Sequence, residues 1–229
     1  MNIKYFVLNT EFKKLLVKTK DLEAKIQNTD PLLENITLND LSYNKYFSYP
    51  GRFKIGFIIF FITIVYMAFF SGAAVAIPSL LIGNPSYEIK AFSFILSLII
   101  SAFISFSHIG LTLSGYYYGP VIQKYTNTVV FFFSLSISYL SGVSDSDFFY
   151  FLSIALCCFF IKLILNGEYY SGFIWAKMCV RVERVIFNNE LDKIKGFNKK
   201  QLREYSRVMK LEKRKKIRDG KRKKQENTI

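Results

Sequence analysis

The side chains best suited to chemistry in the apolar part of this chain are hydroxyls and one imidazole. Ser93, Ser97, Ser101 and Ser105 recur every four residues, and His108, the only histidine in 229 residues, follows three later. A step of four advances an α-helix by about 400°, so these five side chains form one slowly spiralling stripe. A second stripe runs through Asn127, Ser134, Ser138 and Ser141, and Ala68, Gly72 and Ala76 repeat at intervals of four in an earlier segment. Two kinds of chemistry fit such faces. Small and hydroxylated faces let helices approach and bond to one another in lipid, at roughly 0.6–2 kcal/mol per contact. Hydroxyls can also line a water-filled path, which suits weakly selective conduction. His108 could add pH sensing, although near a helix end it reads first as a polar cap.

Catalytic readings find little support. One histidine among many serines does not make a triad, because the nucleophile needs a base positioned beside it. The carboxylates within the apolar region, Glu88, Asp145, Asp147 and Glu168, fall on loops or past its last segment. No phosphate-binding glycine loop occurs. Cys157, Cys158 and Cys179 lack the spacing of a zinc site or a disulfide framework and read as buried or interfacial thiols in a reducing compartment. The chain is therefore read as no enzyme, without a metal, a cofactor or an identifiable small-molecule substrate.

The elements that position these stripes are apolar helices. Apolar residues make up 51% of the chain and aromatics 17%, with 24 Phe, and only seven charged residues fall between Ile55 and Ala176. About 20 residues suffice to cross ~30 Å of hydrocarbon. The spacing predicts spans over 55–82, 91–113, 120–142 and 148–166, the last continuing to Trp175 unless Asn166 and Gly167 end it. Pro78 is expected to kink the first span, and Pro120 suits the first turn of the third. The predicted fold is all-α: a polytopic membrane protein with four transmembrane helices. Three crossings, with the ends on opposite sides, is the alternative.

The flanks complete the layout. Residues 1–54 form a cytoplasmic head, in which Phe12, Leu15, Leu16, Leu22 and Ile26 mark an amphipathic helix that stops at Asn28–Pro31. A second short helix is expected around Leu32, Leu33, Ile36, Leu38 and Leu41, and a break from Ser48 to Gly51. Charge in the first 25 residues argues against a cleavable signal peptide. Residues 177–229 form a basic, largely helical tail. Net charge is +3 over 1–54, −1 over 55–176 and +12 over 177–229. Beside the spans, Lys45, Arg52, Lys54, Lys124, Lys177, Arg181 and Arg184 would lie inside and Lys90 alone outside, which places both ends in the cytoplasm. Lys162 is expected to snorkel to that interface.

The tail holds two basic clusters, Lys213-Arg214-Lys215-Lys216 and Lys221-Arg222-Lys223-Lys224. They suit anionic inner-leaflet lipids, at about 1 kcal/mol per charge, or nucleic-acid phosphates. The expected partners are thus the bilayer, its anionic lipids, further copies of the chain, and a cytoplasmic ribonucleoprotein or protein sensor engaged by the tail.

With a soluble head (Met1–Gly51), a hairpin bundle carrying the Ser93–Ser105 stripe, and this basic tail, the chain resembles small inner-membrane effectors of bacterial anti-phage defence systems, including those encoded beside retron reverse transcriptases. The resemblance implies a multi-pass protein of the bacterial inner membrane, held silent by a cytoplasmic sensor and released to breach the membrane of an infected cell. Two alternatives fit the same layout. One is an immunity or superinfection- and entry-exclusion protein that recognises its target through the loops Gly83–Lys90 and Val143–Asp147. The other is a membrane subunit of a secretion or conjugation complex.

Overall fold

In the computed structural model the described residues are 10–28, 30–36, 40–140 and 145–211, and among them every regular element is helical. The chain divides into two units, Met1–Arg184 and Val185–Ile229. In the first unit the head comprises α1 (Thr10–Gln27), a 3-10 turn (Pro31–Asn35) and α2 (Asp40–Phe47). There follow α3 (Tyr49–Ile82), α4 (Tyr87–Leu113), α5 (Tyr118–Leu140), α6 (Asp145–Leu165) and α7 (Glu168–Ile194), the last of which runs across the division between the units. The second unit continues with a helix over 199–211. That helix opens with a capping box: Asn198 Oδ1 accepts from the Lys200 and Gln201 amides, and Gln201 Oε1 accepts from the Asn198 amide.

Several boundaries differ from those expected. Only Ser48 separates α2 from α3, because Pro50 lies in the first turn of α3, where its missing N–H costs no hydrogen bond. Of the short helix foreseen around Leu32, Leu33, Ile36, Leu38 and Leu41, the first part is the 3-10 turn and Leu41 lies in α2, while Leu38 is outside the described residues. That turn begins where the Asp30 carboxylate accepts from the Leu32 amide. The fourth apolar segment ends at Leu165, and α7 begins afresh at Glu168 after Asn166 and Gly167. Pro78 lies inside α3, which continues to Ile82.

Helices α3 to α6 form an antiparallel bundle. Helix α3 packs on α4, α5 and α6, α4 packs on α5, and α5 packs most extensively on α6. The pairings Tyr66–His108, Tyr150–Ala68 and Asn127–Cys158 set the register. Three helices are long and apolar enough to cross a membrane: Tyr49–Ile82, Tyr87–Leu113 and the Asp147–Leu165 stretch of α6. At 1.5 Å per residue the 34-residue α3 is about 51 Å long, so it projects well beyond a hydrocarbon core of about 30 Å. Helix α5, with 23 residues, has the length but not the composition, because Gln123, Lys124 and Asn127 crowd its first half.

On α4 the burial pattern inverts that of a water-soluble bundle. Every residue named as buried on α4 is polar: Ser101, Ser105, His108 and Thr112. Phe103 and Phe106, on the opposite face, are 73% and 77% exposed. In water this arrangement would lose apolar burial and strand polar groups. In hydrocarbon the polar face is the one that gains from being turned inward. Such an inversion is what a membrane protein requires.

The head shares the core of the bundle. Phe12, Leu15 and Tyr46 join one buried cluster with Ile55, Tyr66, Leu165, Tyr170 and Phe173. Asn166 Oδ1 accepts from the Phe12 amide at 3.2 Å, capping the first turn of α1 from the far end of α6. The Tyr169 hydroxyl donates to the Lys45 and Gly51 carbonyls, each at 3.3 Å. The head, the α4–α5 connection and the start of α7 thus gather at one end of the bundle.

Candidate functional site in the bundle interior

Both predicted polar stripes are turned inward in part, with Asn127 and Ser138 of α5 bonding to α6. Ser101, Ser105 and His108 on α4, and Asn127, Ser134 and Ser138 on α5, are all buried. Ser93 and Ser97 are half-buried and open instead onto a groove between α3 and α4, beside Ala73, Ala74 and Pro78. Ser141 and the basic clusters Lys213–Lys216 and Lys221–Lys224 lie outside the described residues. The small-residue stripe of α3 receives a tyrosine rather than another small face. The Tyr150 hydroxyl donates to the Ala68 carbonyl at 2.6 Å, and its ring fills the space beside Gly72. Ala76 packs at the edge of the core.

His108 is not a helix-end cap. It is 2% exposed, its ring lies edge-on to Tyr66 at 5.8 Å, and Nδ1 faces the Ile104 carbonyl at 3.1 Å. Tyr66 in turn donates to the Gln123 carbonyl at 3.3 Å, and Tyr170 donates to Gln123 Oε1. Burial raises the Tyr170 phenol well above its usual range, so it stays protonated and serves as donor. A chain of polar contacts therefore crosses the head end of the bundle from α7 through α5 to α3 and α4. Gln123 went unremarked in the sequence, although it lies four residues before Asn127 on the same stripe.

Around this plug, within a largely apolar core, several buried polar atoms are under-bonded. Ser105 Oγ, His108 Nε2, Thr112 Oγ1, Asn127 Oδ1 and Ser134 Oγ are buried without a hydrogen-bond partner among the described residues. Each such atom costs roughly 1–3 kcal/mol relative to a satisfied one. Tight helix packing closes the stripe at one point: Gly119 lies against the Thr112 backbone, where a Cβ has no room.

Below the plug sits a latch that spacing alone does not reveal. Glu23 of α1 accepts two hydrogen bonds from Arg181 of α7, at 2.5 and 2.8 Å. Both side chains are largely buried, 8% and 13% exposed. Arg181 also donates to the Gly115 carbonyl at 3.3 Å and stacks on the Tyr116 ring at 3.8 Å. The Tyr117 amide reaches Glu23 at 3.5 Å. Gly115 holds φ +77°, and a side chain there would strike the Lys177 carbonyl. One ion pair thus ties the head, the α4–α5 connection and α7 together. The available signal was a carboxylate on the apolar face of α1, between Leu22 and Ile26. Lys177 lies nearby over the Phe47 and Phe173 rings, at 5.1 and 5.7 Å. Burial first, then Arg52 and Arg184, lowers its pKa.

Among the described residues no group of three His, Cys, Asp or Glu is placed to hold a metal ion. No family model matches the chain, and no curated protein and no solved structure matches it either.

Proposed function

We propose that this chain is a bacterial inner-membrane effector that permeabilises the bilayer when a cytoplasmic signal releases its head. The carrying observation is the buried Glu23–Arg181 pair, which clamps the head over the connection between the two helices that hold the unpaired polar groups. While the clamp holds, Tyr170, Gln123 and Tyr66 close the interior at the head end. When α1 and α7 separate, Arg181 leaves Gly115 and Tyr116, α4 and α5 part, and water satisfies the orphaned hydroxyls. Hydroxyl-lined paths of this kind conduct with little selectivity.

The proposal includes four crossings with both ends in the cytoplasm. The head and α7 meet at the same end of the bundle, and an even number of crossings accounts for that meeting. With α3, α4 and α6 as three spans, α5 is the natural fourth, its polar residues turned inward. The seven-to-one bias of Lys and Arg toward that end supports a cytoplasmic location for it.

The test is ion flux from liposomes containing the purified chain. Arg181→Ala should raise flux well above that of the unaltered protein, and adding Asn127→Leu with Ser134→Ala should suppress the increase. A folded Arg181→Ala variant as quiet as the parent contradicts the proposal.

A further inference from the structure

Between α5 and α6, at the head end, lies a cavity of about 300 Å³ lined by both cations and aromatic rings. Three lysines from three helices converge on it: Lys13 of α1, Lys124 of α5 and Lys162 of α6. Among the described residues no carboxylate forms an ion pair with any of them. An anion in the cavity would face three cations and no carboxylate of its lining. The same cavity is walled by Phe131, Phe132 and Phe159. On both helices the aromatic residues lie farther from the head end than the lysines. Lys124 and Phe132 are eight residues apart, about 12 Å along the helix, a distance matched by a stretch of acyl chain. In the lining Asn127 donates to the Cys158 carbonyl at 3.1 Å while its buried Oδ1 has no partner, an acceptor open to a hydroxyl donor.

We infer that this cavity binds an anionic glycerophospholipid of the surrounding bilayer, with its phosphate at the three lysines and an acyl chain against the phenylalanines. A soluble anion would leave the aromatic wall unused, and a zwitterionic lipid would add a cation to three already present. Lys162, which snorkelling alone would account for, then becomes one of three ligands. Because Lys13 belongs to the head, bound lipid fastens α1 to α5 and α6 independently of the Glu23–Arg181 latch. The inference rests on the membrane reading of the bundle, not on permeabilisation.

The experiment uses the full chain in detergent, titrated with phosphatidylglycerol, phosphatidylcholine or inorganic phosphate, and reads bound lipid by native mass spectrometry and the shift in Tm. Phosphatidylglycerol should bind and raise Tm, and the other two should not. Lys124→Gln with Lys162→Gln should weaken binding about thirtyfold, the worth of two lysines facing an anionic headgroup. Lys18→Gln, exposed on α1 away from the cavity, should bind as the parent does. Should the double variant fail to fold, Lys13→Gln on the head supplies the same test with a several-fold loss. Equal binding of phosphatidylcholine, equal binding of phosphate alone, or unchanged affinity in the lysine variants overturns the inference. The binding assay reads no flux, so a quiet latch variant that still binds phosphatidylglycerol would sink the proposed permeabilisation and leave this site standing.

Discussion

Glu23 and Arg181 form a two-bonded ion pair across 158 residues of chain, joining the first described helix to the last helix of the same unit. Both partners are largely buried, so the stability of this end of the molecule hangs on the pair. Removing one partner of a buried pair strands the other, at a cost of about 3–5 kcal/mol. Arg181→Ala and Glu23→Gln should each lower unfolding stability in detergent by that order. The charge swap Glu23→Arg with Arg181→Glu should recover part of the loss, because the attraction is restored while the Gly115 contact is not.

The Gly119–Thr112 approach makes a sharp contrast with another glycine. Gly119→Val forces a branched side chain against backbone and should part α4 from α5, with a stability loss of several kcal/mol or failure to accumulate. Gly56 sits in α3 with nothing within reach of an added Cβ, so Gly56→Ala should be neutral or stabilising by up to about 1 kcal/mol. Expression level and thermal stability of the two variants, measured side by side, check both.

The inverted burial of α4 predicts an inverted mutational pattern. Ser105→Ala deletes a buried hydroxyl that has no partner and should stabilise the chain by about 1 kcal/mol or leave it unchanged. Phe103→Lys puts a charge on the exposed apolar face and should cost about 2.5–3.5 kcal/mol if that face meets lipid. A soluble bundle would tolerate the lysine, so membrane-insertion efficiency separates the two environments.

Cys179 provides a built-in report on the latch. It is 2% exposed on α7, two residues before Arg181, and burial first, then Glu183, pushes its thiol up to about 11. A raised thiol pKa means that the proton is kept. At pH 8 only about one part in a thousand is thiolate, rising tenfold per pH unit. An impermeant maleimide should leave the parent Cys179 unmodified at pH 8, while Arg181→Ala should be labelled. Equal protection in the two proteins would mean that α7 stays seated without the ion pair.

Much of the architecture was legible because hydrocarbon imposes a one-dimensional rule. Long uncharged runs such as those of α3 and α4 read as helices, since only helices and closed barrels satisfy the backbone in lipid and barrel strands are about half as long. Helix α5 was harder. Its span over 120–142 and the place of Asn127 on a polar stripe were readable, but not that Gln123 and Asn127 bond to Tyr170 and the Cys158 carbonyl. The spiral of Ser101, Ser105 and His108 was readable from spacing. That Ser93 and Ser97 part company with it was not, because which helix covers a stripe depends on crossing geometry. The Glu23–Arg181 and Phe12–Asn166 contacts join residues more than 150 positions apart, and no local pattern encodes such pairings.

Whether α5 crosses the bilayer decides more than any other single fact, because the shared end of head and α7 depends on it. In a background lacking Cys157, Cys158 and Cys179, single cysteines at Asn84, Ser114 and Asp147 can be probed with an impermeant thiol reagent in intact cells and in inverted vesicles. The account predicts that Asn84→Cys and Asp147→Cys react only in intact cells and Ser114→Cys only in inverted vesicles. Labelling of Asp147→Cys from the same face as Ser114→Cys would contradict it, since α5 would then lie on one side of the membrane.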